Sequence, residues 1–260
     1  MSIATAPAAI RDVRAAGDVP LWIHAGWAER FPWLVQGTTS AGTADEPFDL
    51  GLFGTRPVGE ILERWEMLRS RTGMRQTVHS LQVHGSELSR HDAAPQTGLL
   101  VTRGYDGHLT ARPDILLTVS VADCVPVFLV ARDSREVGLV HAGWRGTAAG
   151  IVERAAAALA GDGGPSQLWA HCGPSICGEC YEVGPEVHAG VSPELPVPER
   201  PEPIDLRLAI ARRLSSAGVE MEQISVSTHC TRCGDGGFFS HRAGSAGRQM
   251  GVLGIRELGG

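Results

Sequence analysis

Two amino acids are missing altogether from this chain of 260 residues: lysine and asparagine. All 23 fixed positive charges are therefore arginine. The first absence removes a class of chemistry, because a Schiff-base enzyme, a pyridoxal phosphate enzyme and a P-loop phosphate site each need a lysine amine. Net charge is −6 with no basic run, which argues against nucleic acid as a partner. No apolar run reaches the ~18 residues that cross a bilayer, so no membrane partner is expected either. The N-terminus lacks the basic start and apolar core of a secretory signal. A cytoplasmic address is expected, with residues 1–18 as a loose tail and residues 19–260 as one folded domain.

What is present is ordinary for a globular protein: 43% hydrophobic and 20% charged residues, in a chain long enough to bury a large core. Apolar positions Ile61, Leu62, Trp65 and Leu68 predict a helix over 58–71, stopped at Gly73. Strands are expected over 75–83, 115–122, 125–131, 137–140, 167–171 and 223–228. An Ala-rich helix is expected over 147–160, closed by Gly161, and another from its cap at Asp205 to Ser216. The Pro-rich stretch 192–203 reads as a loop. Strands and helices interleave without a linker, so the expected fold is α+β, a single domain with mixed β-sheets flanked by helices.

Three residues stand directly after expected strands: His84, Cys124 and His141. Side chains at strand ends of a common sheet converge, and two imidazoles with one thiolate suit zinc in tetrahedral geometry. Three protein ligands leave a fourth position open, the catalytic rather than the structural pattern. Asp123 is placed as an outer partner or proton acceptor. After His141, the string Ala142-Gly143-Trp144-Arg145-Gly146 leads into a helix. Glycines Gly143 and Gly146 permit close backbone approach and Arg145 adds charge, so phosphate is expected there beside the metal.

Six cysteines are present: 124, 172, 177, 180, 230 and 233. Cys177-x-x-Cys180 and Cys230-x-x-Cys233 are two CxxC pairs, but the gap between them far exceeds the ~15–20 residues of a zinc ribbon. Reduced free thiols are expected over a second metal.

The strings Gln82-Val83-His84-Gly85, Ala122-Asp123-Cys124-Val125-Pro126-Val127 and His141-Ala142-Gly143-Trp144-Arg145-Gly146 closely resemble the YfiH-type laccase-domain proteins, once called multi-copper polyphenol oxidoreductases. The likeness continues through Gly173-Pro174-Ser175-Ile176, Cys180-Tyr181-Glu182-Val183-Gly184, Cys230-Thr231, Phe238-Phe239-Ser240-His241-Arg242 and Gly247-Arg248. The resemblance implies a single α+β domain, zinc at His84, Cys124 and His141, and phosphorolysis of adenosine, inosine or methylthioadenosine, with deamination of adenosine. Three departures stand out. Thr38-Thr39-Ser40-Ala41-Gly42 lacks the family's arginine, Glu179 replaces the first of a cysteine pair, and Ala243-Gly244-Ser245 replaces an Arg and Asp after Arg242. On this reading purine nucleoside and phosphate are the partners, Arg242 stabilises developing charge, and the chain is a monomer or small homo-oligomer.

Three other readings use the same residues. A copper polyphenol oxidase would place Cu2+ on the same trio, although true multicopper chemistry needs about ten histidines in His-x-His pairs. The chain has 10 histidines, none of them two apart. A metal-free cysteine hydrolase would use Cys124 as nucleophile, His84 or His141 as base and Asp123 to orient it. The last reading is a zinc-stabilised binding protein that has lost its activity.

Overall fold

Apolar strings without alternation need partners on both faces, and that requirement organises this molecule. A computed structural model describes residues 6–257. In it Ile115–Val121, Val125–Ala131 and Glu136–Ala142 are strands, each with nearly every residue buried. Alternate side chains of Val125–Ala131 enter different cores: Val125, Val127 and Leu129 join one cluster, Phe128 and Val130 another.

Among the described residues there are two seven-stranded sheets. The first runs, in spatial order, Ala8–Ile10, Ile224–Ser227, Leu168–Cys172, Val125–Ala131, Glu136–Ala142, Gly107–Thr110 and Leu88–Arg90. The second runs Val13–Arg14, Leu21–Ile23, Leu34–Thr39, Gln249–Ile255, Ile115–Val121, Gln76–Leu81 and Gly98–Arg103. Both mix parallel and antiparallel pairs, as in Leu168–Cys172 with Ile224–Ser227 and Val125–Ala131 with Glu136–Ala142.

The sheets face each other across Phe128, Val130 and Leu139 of the first and Leu117, Val119 and Leu253 of the second. Helices Ile151–Ala160 and Leu206–Ser216 cover the outer face of the first sheet, and Val58–Thr72 covers that of the second through Ile61, Trp65 and Leu68. The result is a single-domain α+β sandwich, as the sequence pattern predicts.

Local signals explain most boundaries. The Asp205 carboxylate accepts the Arg207 N–H at 3.0 Å and opens its helix, while Gly73, with φ 70°, ends Val58–Thr72. The helix expected over 147–160 is two helices, Trp144–Ala148 and Ile151–Ala160. Gly150 breaks them at φ 83°, a conformation glycine adopts without strain.

The N-terminal expectation needs correction. Ala8–Ile10 pairs in parallel with Ile224–Ser227 at an edge of the first sheet, and Val13–Arg14 pairs with Leu21–Ile23 at an edge of the second. Between them Asp12 is buried and accepts from His171 Nε2 at 3.1 Å. Open sheet edges and one buried carboxylate fix this segment, which carries too little apolar periodicity to announce itself. Residues 1–5 of the expected tail lie outside the described residues.

Candidate metal centre and cleft

The three expected ligands come from both sheets. His84 follows Gln76–Leu81 of the second sheet in a turn where its own φ is 60°. Cys124 sits in the turn that carries the chain from Ile115–Val121 of the second sheet to Val125–Ala131 of the first, next to Asp123 at φ 85°. His141 lies in Glu136–Ala142 of the first. Left-handed backbone at a residue other than glycine costs about 1 kcal/mol or more, and two such residues flank this one site. The ligand atoms of the trio all lie within 4.8 Å of one another.

A glycine keeps the space between them open. A Cβ at Gly143 would lie 3.0 Å from Cys124 Sγ and 3.4 Å from His84 Cδ2, so any side chain there presses on two ligands. Gly146 is needed for packing, since a Cβ there would meet the Gly85 carbonyl at 2.7 Å.

Asp106 sets the geometry from beneath. Its Oδ1 accepts His141 Nδ1–H at 2.8 Å and the His84 N–H at 2.9 Å. Its Oδ2 accepts the N–H groups of Val83 and Gly85 at 3.0 and 2.9 Å. With Nδ1 so engaged, His141 presents Nε2 to Cys124. Burial pushes the Asp106 carboxyl up, but His141 and the backbone donors together hold it below its usual value. Burial likewise pushes the Cys124 thiol up, and His141 and His84 overcome it, holding the thiol at about 6. His141 is pushed down by burial and raised past it, by Cys124 and Asp106, to about 9. Without a metal the pair is a thiolate beside an imidazolium. A soft cation would take the place of that proton.

The trio opens into a cleft of about 480 Å³, within the range of small-molecule sites. Its other walls include Phe53, Ser80, Gln82, Ser120, His241 and Arg248. Gln82 braces one wall, donating to the Ser120 carbonyl at 3.0 Å and accepting the Ser120 N–H at 2.7 Å. Asp49 Oδ1 ties two cleft loops by accepting the N–H groups of Gly51 and Arg248, each at 2.9 Å. Phe53 is 59% exposed at the mouth, an apolar ring with no burial to explain it.

Several expected residues take other places. Both Asp123 oxygens are occupied: Oδ1 accepts from Thr231 Oγ1 at 2.6 Å and Oδ2 from the Arg242 N–H at 2.7 Å. Asp123 is a brace between loops, and Asp106 holds the outer position expected of it. Arg145 is exposed, its guanidinium 4.5 Å above the Trp144 ring, and it does not line the cleft. Arg242 donates to the Glu182 carbonyl at 3.1 Å and lies 5.0 Å over the Tyr181 ring. Burial, with the negative charge of Cys124 next, pushes the Tyr181 hydroxyl up to about 12 against the pull of Arg242 and Arg145. Those two arginines therefore flank the trio on the Tyr181 side, while Arg248 and His241 stand in the cleft. Asp106 and Phe53 were missed in the sequence, for neither belongs to a string that suggested chemistry. His241 and Arg248 stand out in the sequence only as part of the strings that resemble the family.

The sequence of this site and its fold agree with known proteins. The chain belongs to the multi-copper polyphenol oxidoreductase laccase family, whose sequence model matches residues 35–256. The purine nucleoside phosphorylase YlmD of Geobacillus stearothermophilus is 36% identical over 203 residues, 68% of this chain and 71% of that one. An adenosine deaminase from an unknown prokaryotic organism is 38% identical over 150 residues, 54% of this chain and 57% of that protein. The crystal structure of YlmD from Geobacillus stearothermophilus superposes with a TM-score of 0.83 at 28% identity, covering 95% of this chain and all of that one. The family match includes all three residues of the trio, together with Asp106 and Arg248.

Proposed function

We propose that this chain is a zinc-dependent purine nucleoside phosphorylase that also deaminates adenosine. The observation that carries the reading is the convergence of His84, Cys124 and His141 on a cleft of nucleoside dimensions, in a chain whose relatives are named for those two activities.

The donor set fits zinc. It offers two imidazole nitrogens and one thiolate, with a carboxylate fixing one imidazole from behind, the pattern of carboxylate–histidine–zinc sites. When bound, zinc supplies a Lewis acid and no change of valence. The remaining roles belong to the chain. Phe53 offers a face for the purine base. Gln82 and Ser120 already satisfy each other and hold their wall rigid. Phosphate needs a fixed positive charge, and Arg248, inside the cleft, is better placed for it than Arg145 with the Gly143–Gly146 turn. Arg242, over the Tyr181 ring and bonded to the Glu182 carbonyl, stands outside this cleft, and its charge reaches the trio only from the Tyr181 side.

Copper on the same trio is the reading that the family's name suggests. Four coppers need far more imidazoles than one cluster provides. Among the described residues, the histidines grouped for metal binding are His84 and His141 alone, and His79, His91, His108 and His171 are hydrogen-bonded elsewhere.

One observation favours a second reading. Cys124, His141 and Asp106 form a nucleophile, base and orienting carboxylate, with the last at 2.8 Å. A metal-free cysteine hydrolase would use that triad. The two readings separate in one assay of purified protein with adenosine, with and without phosphate, before and after chelation. Phosphate-dependent release of adenine, lost on chelation and restored by zinc, supports the phosphorylase. Turnover that ignores phosphate and survives chelation refutes it and leaves the hydrolase.

A further inference from the structure

The two CxxC pairs, far apart in sequence, are one constellation in space. Cys177 and Cys180 frame a short turn in the loop after Leu168–Cys172, and Cys230 and Cys233 lie in the loop after Ile224–Ser227. Those strands are parallel neighbours, with Cys172 opposite Val226, so both loops leave the same edge of the sheet side by side. A bridge between Ser175 and Cys230, with the Thr231 N–H donated to the Ser175 carbonyl at 3.0 Å, holds them together. The four Sγ atoms lie within 4.8 Å of one another, and all four thiols are free. The thiols are free, as expected, and the fold gathers them in one place.

We propose that Cys177, Cys180, Cys230 and Cys233 form a second metal site, a closed four-thiolate zinc that staples these two loops. Four thiolates at about 2.3 Å from one ion stand about 3.8 Å apart along the edges of the tetrahedron. Cys177 and Cys233 Sγ are 3.8 Å apart. An iron–sulfur cubane places several iron atoms between its thiolates and spreads them further.

The surroundings are those of a thiolate cage. Cys230 Sγ accepts three backbone N–H groups, from Cys177 at 3.3 Å, Arg232 at 3.4 Å and Cys233 at 3.5 Å. Such donors orient and stabilise a coordinating sulfur. The chain turns so tightly after Cys233 that a Cβ at Gly234 would lie 2.4 Å from the Cys230 carbonyl oxygen, which leaves glycine there. Four thiolates around a divalent ion carry a net negative charge. Arg232 donates to the Cys180 carbonyl at 3.3 Å, and Arg207, gripped by Asp205 at 2.7 Å, lies within electrostatic reach of Cys177. Zinc displaces the thiol protons, and no oxidant is needed. Four protein ligands leave no open position, so the role is structural.

The staple also explains how Asp123 is held. Ile176, beside Cys177, donates its N–H to the Asp123 carbonyl at 3.1 Å, and Thr231, beside Cys230, bonds the Asp123 carboxylate. Both stapled loops therefore grip the residue before Cys124.

Elemental analysis of the purified full chain tests the site without any assay of activity. We expect about two zinc per chain in the wild type, about one in Cys233→Ser and about one in Cys124→Ser. Cys233→His, a conservative ligand change, should keep the second zinc. If Cys233→Ser holds as much zinc as the wild type, or if the metal found there is iron, the proposal falls. So it does if alkylation under denaturing, metal-free conditions shows these four cysteines paired as disulfides. Should Cys233→Ser fail to fold, cobalt decides. Cys124→Ser loaded with cobalt should retain the strong sulfur-to-metal absorption of a four-thiolate site, and its absence overturns the proposal. The two sites fail separately: a single zinc lost only in Cys124→Ser rejects the cage, and one lost only in Cys233→Ser rejects the open site.

Discussion

Asp106 Oδ1 lies 2.8 Å from His141 Nδ1 and takes the backbone N–H of His84 at 2.9 Å with the same atom. One buried carboxylate thus sets both histidines that converge with Cys124. Asp106→Asn retains the shape but presents either a competing amide donor or an uncharged oxygen. Zinc affinity at the open site should drop about 10- to 100-fold, as for other outer partners of histidine ligands. Competition with a chromogenic chelator measures it, and an unchanged affinity would detach Asp106 from the site.

Gly143→Ala places a methyl group 3.0 Å from Cys124 Sγ, tighter than an ordinary contact. The global fold should persist, because Gly143 has φ −78°, a value open to alanine. We expect weakened zinc binding and slower nucleoside turnover with a melting temperature close to the wild type. Equal losses of metal and of global stability would show a general folding defect instead.

For phosphate, the arginine in the cleft should matter most. Arg248→Ala should raise the phosphate concentration needed for half-maximal turnover by the equivalent of about 1.5–3 kcal/mol, the loss of a charge-assisted hydrogen bond. Arg145→Ala, at an exposed position over Trp144, should have the smaller effect. Initial rates over a phosphate series rank the two, and the reverse order would move the anion site to the Gly143–Gly146 turn.

Two buried histidines predict the pH dependence of stability. Burial pushes His79 down to about 4 and His108 to about 3, whereas both titrate near 6.5 when unfolded. Between these values the unfolded chain binds protons that the fold refuses. Their contribution to stability is therefore full above pH 6.5 and falls as pH drops from there to about 4, by roughly 1.4 kcal/mol per pH unit for each proton. Denaturant unfolding at pH 7 and pH 5 should show the loss, and His79→Gln should reduce its slope by about one proton. A stability that rises on acidification would contradict the assignment.

Copper should separate the family's name from the chemistry proposed here. Nitrogen–sulfur sites prefer Cu2+ over Zn2+, so added copper should displace zinc from the open site. Phenol oxidation should be absent in zinc-loaded protein and arise, if at all, only after copper loading, while nucleoside turnover falls. Robust phenol oxidation by a copper-free sample would reject the zinc assignment.

Much of this was legible in the chain. The strands on either side of Cys124 announce themselves because both of their faces are buried and their strings are almost wholly apolar, whereas Gln76–Leu81 before His84 is mixed in polarity. The trio stands out by residue type and by the family strings, although the common sheet expected to gather it is in fact two sheets, with His141 inside its strand. Asp106 was invisible because its role depends on four hydrogen-bond donors from distant positions, none of which leaves a local pattern. The convergence of the cysteine pairs was hidden for a related reason. The zinc-ribbon spacing assumes two CxxC turns close together in sequence, whereas here two parallel strands bring together loops separated by the helices Pro185–Val191 and Leu206–Ser216. Residues 8–14 were misread because strand pairing at an edge needs backbone groups more than side-chain pattern.

The turn at Asp123–Cys124 takes the chain from one sheet to the other, and the remaining members of the trio are divided between those sheets. A change in the separation or slide of the two layers therefore moves His84 relative to His141. The open site is in effect a gauge of the interior, set by the bulk of Phe128, Leu139 and Leu253 between the layers. Repacking that interior, even where no substrate reaches, alters the distance between ligands.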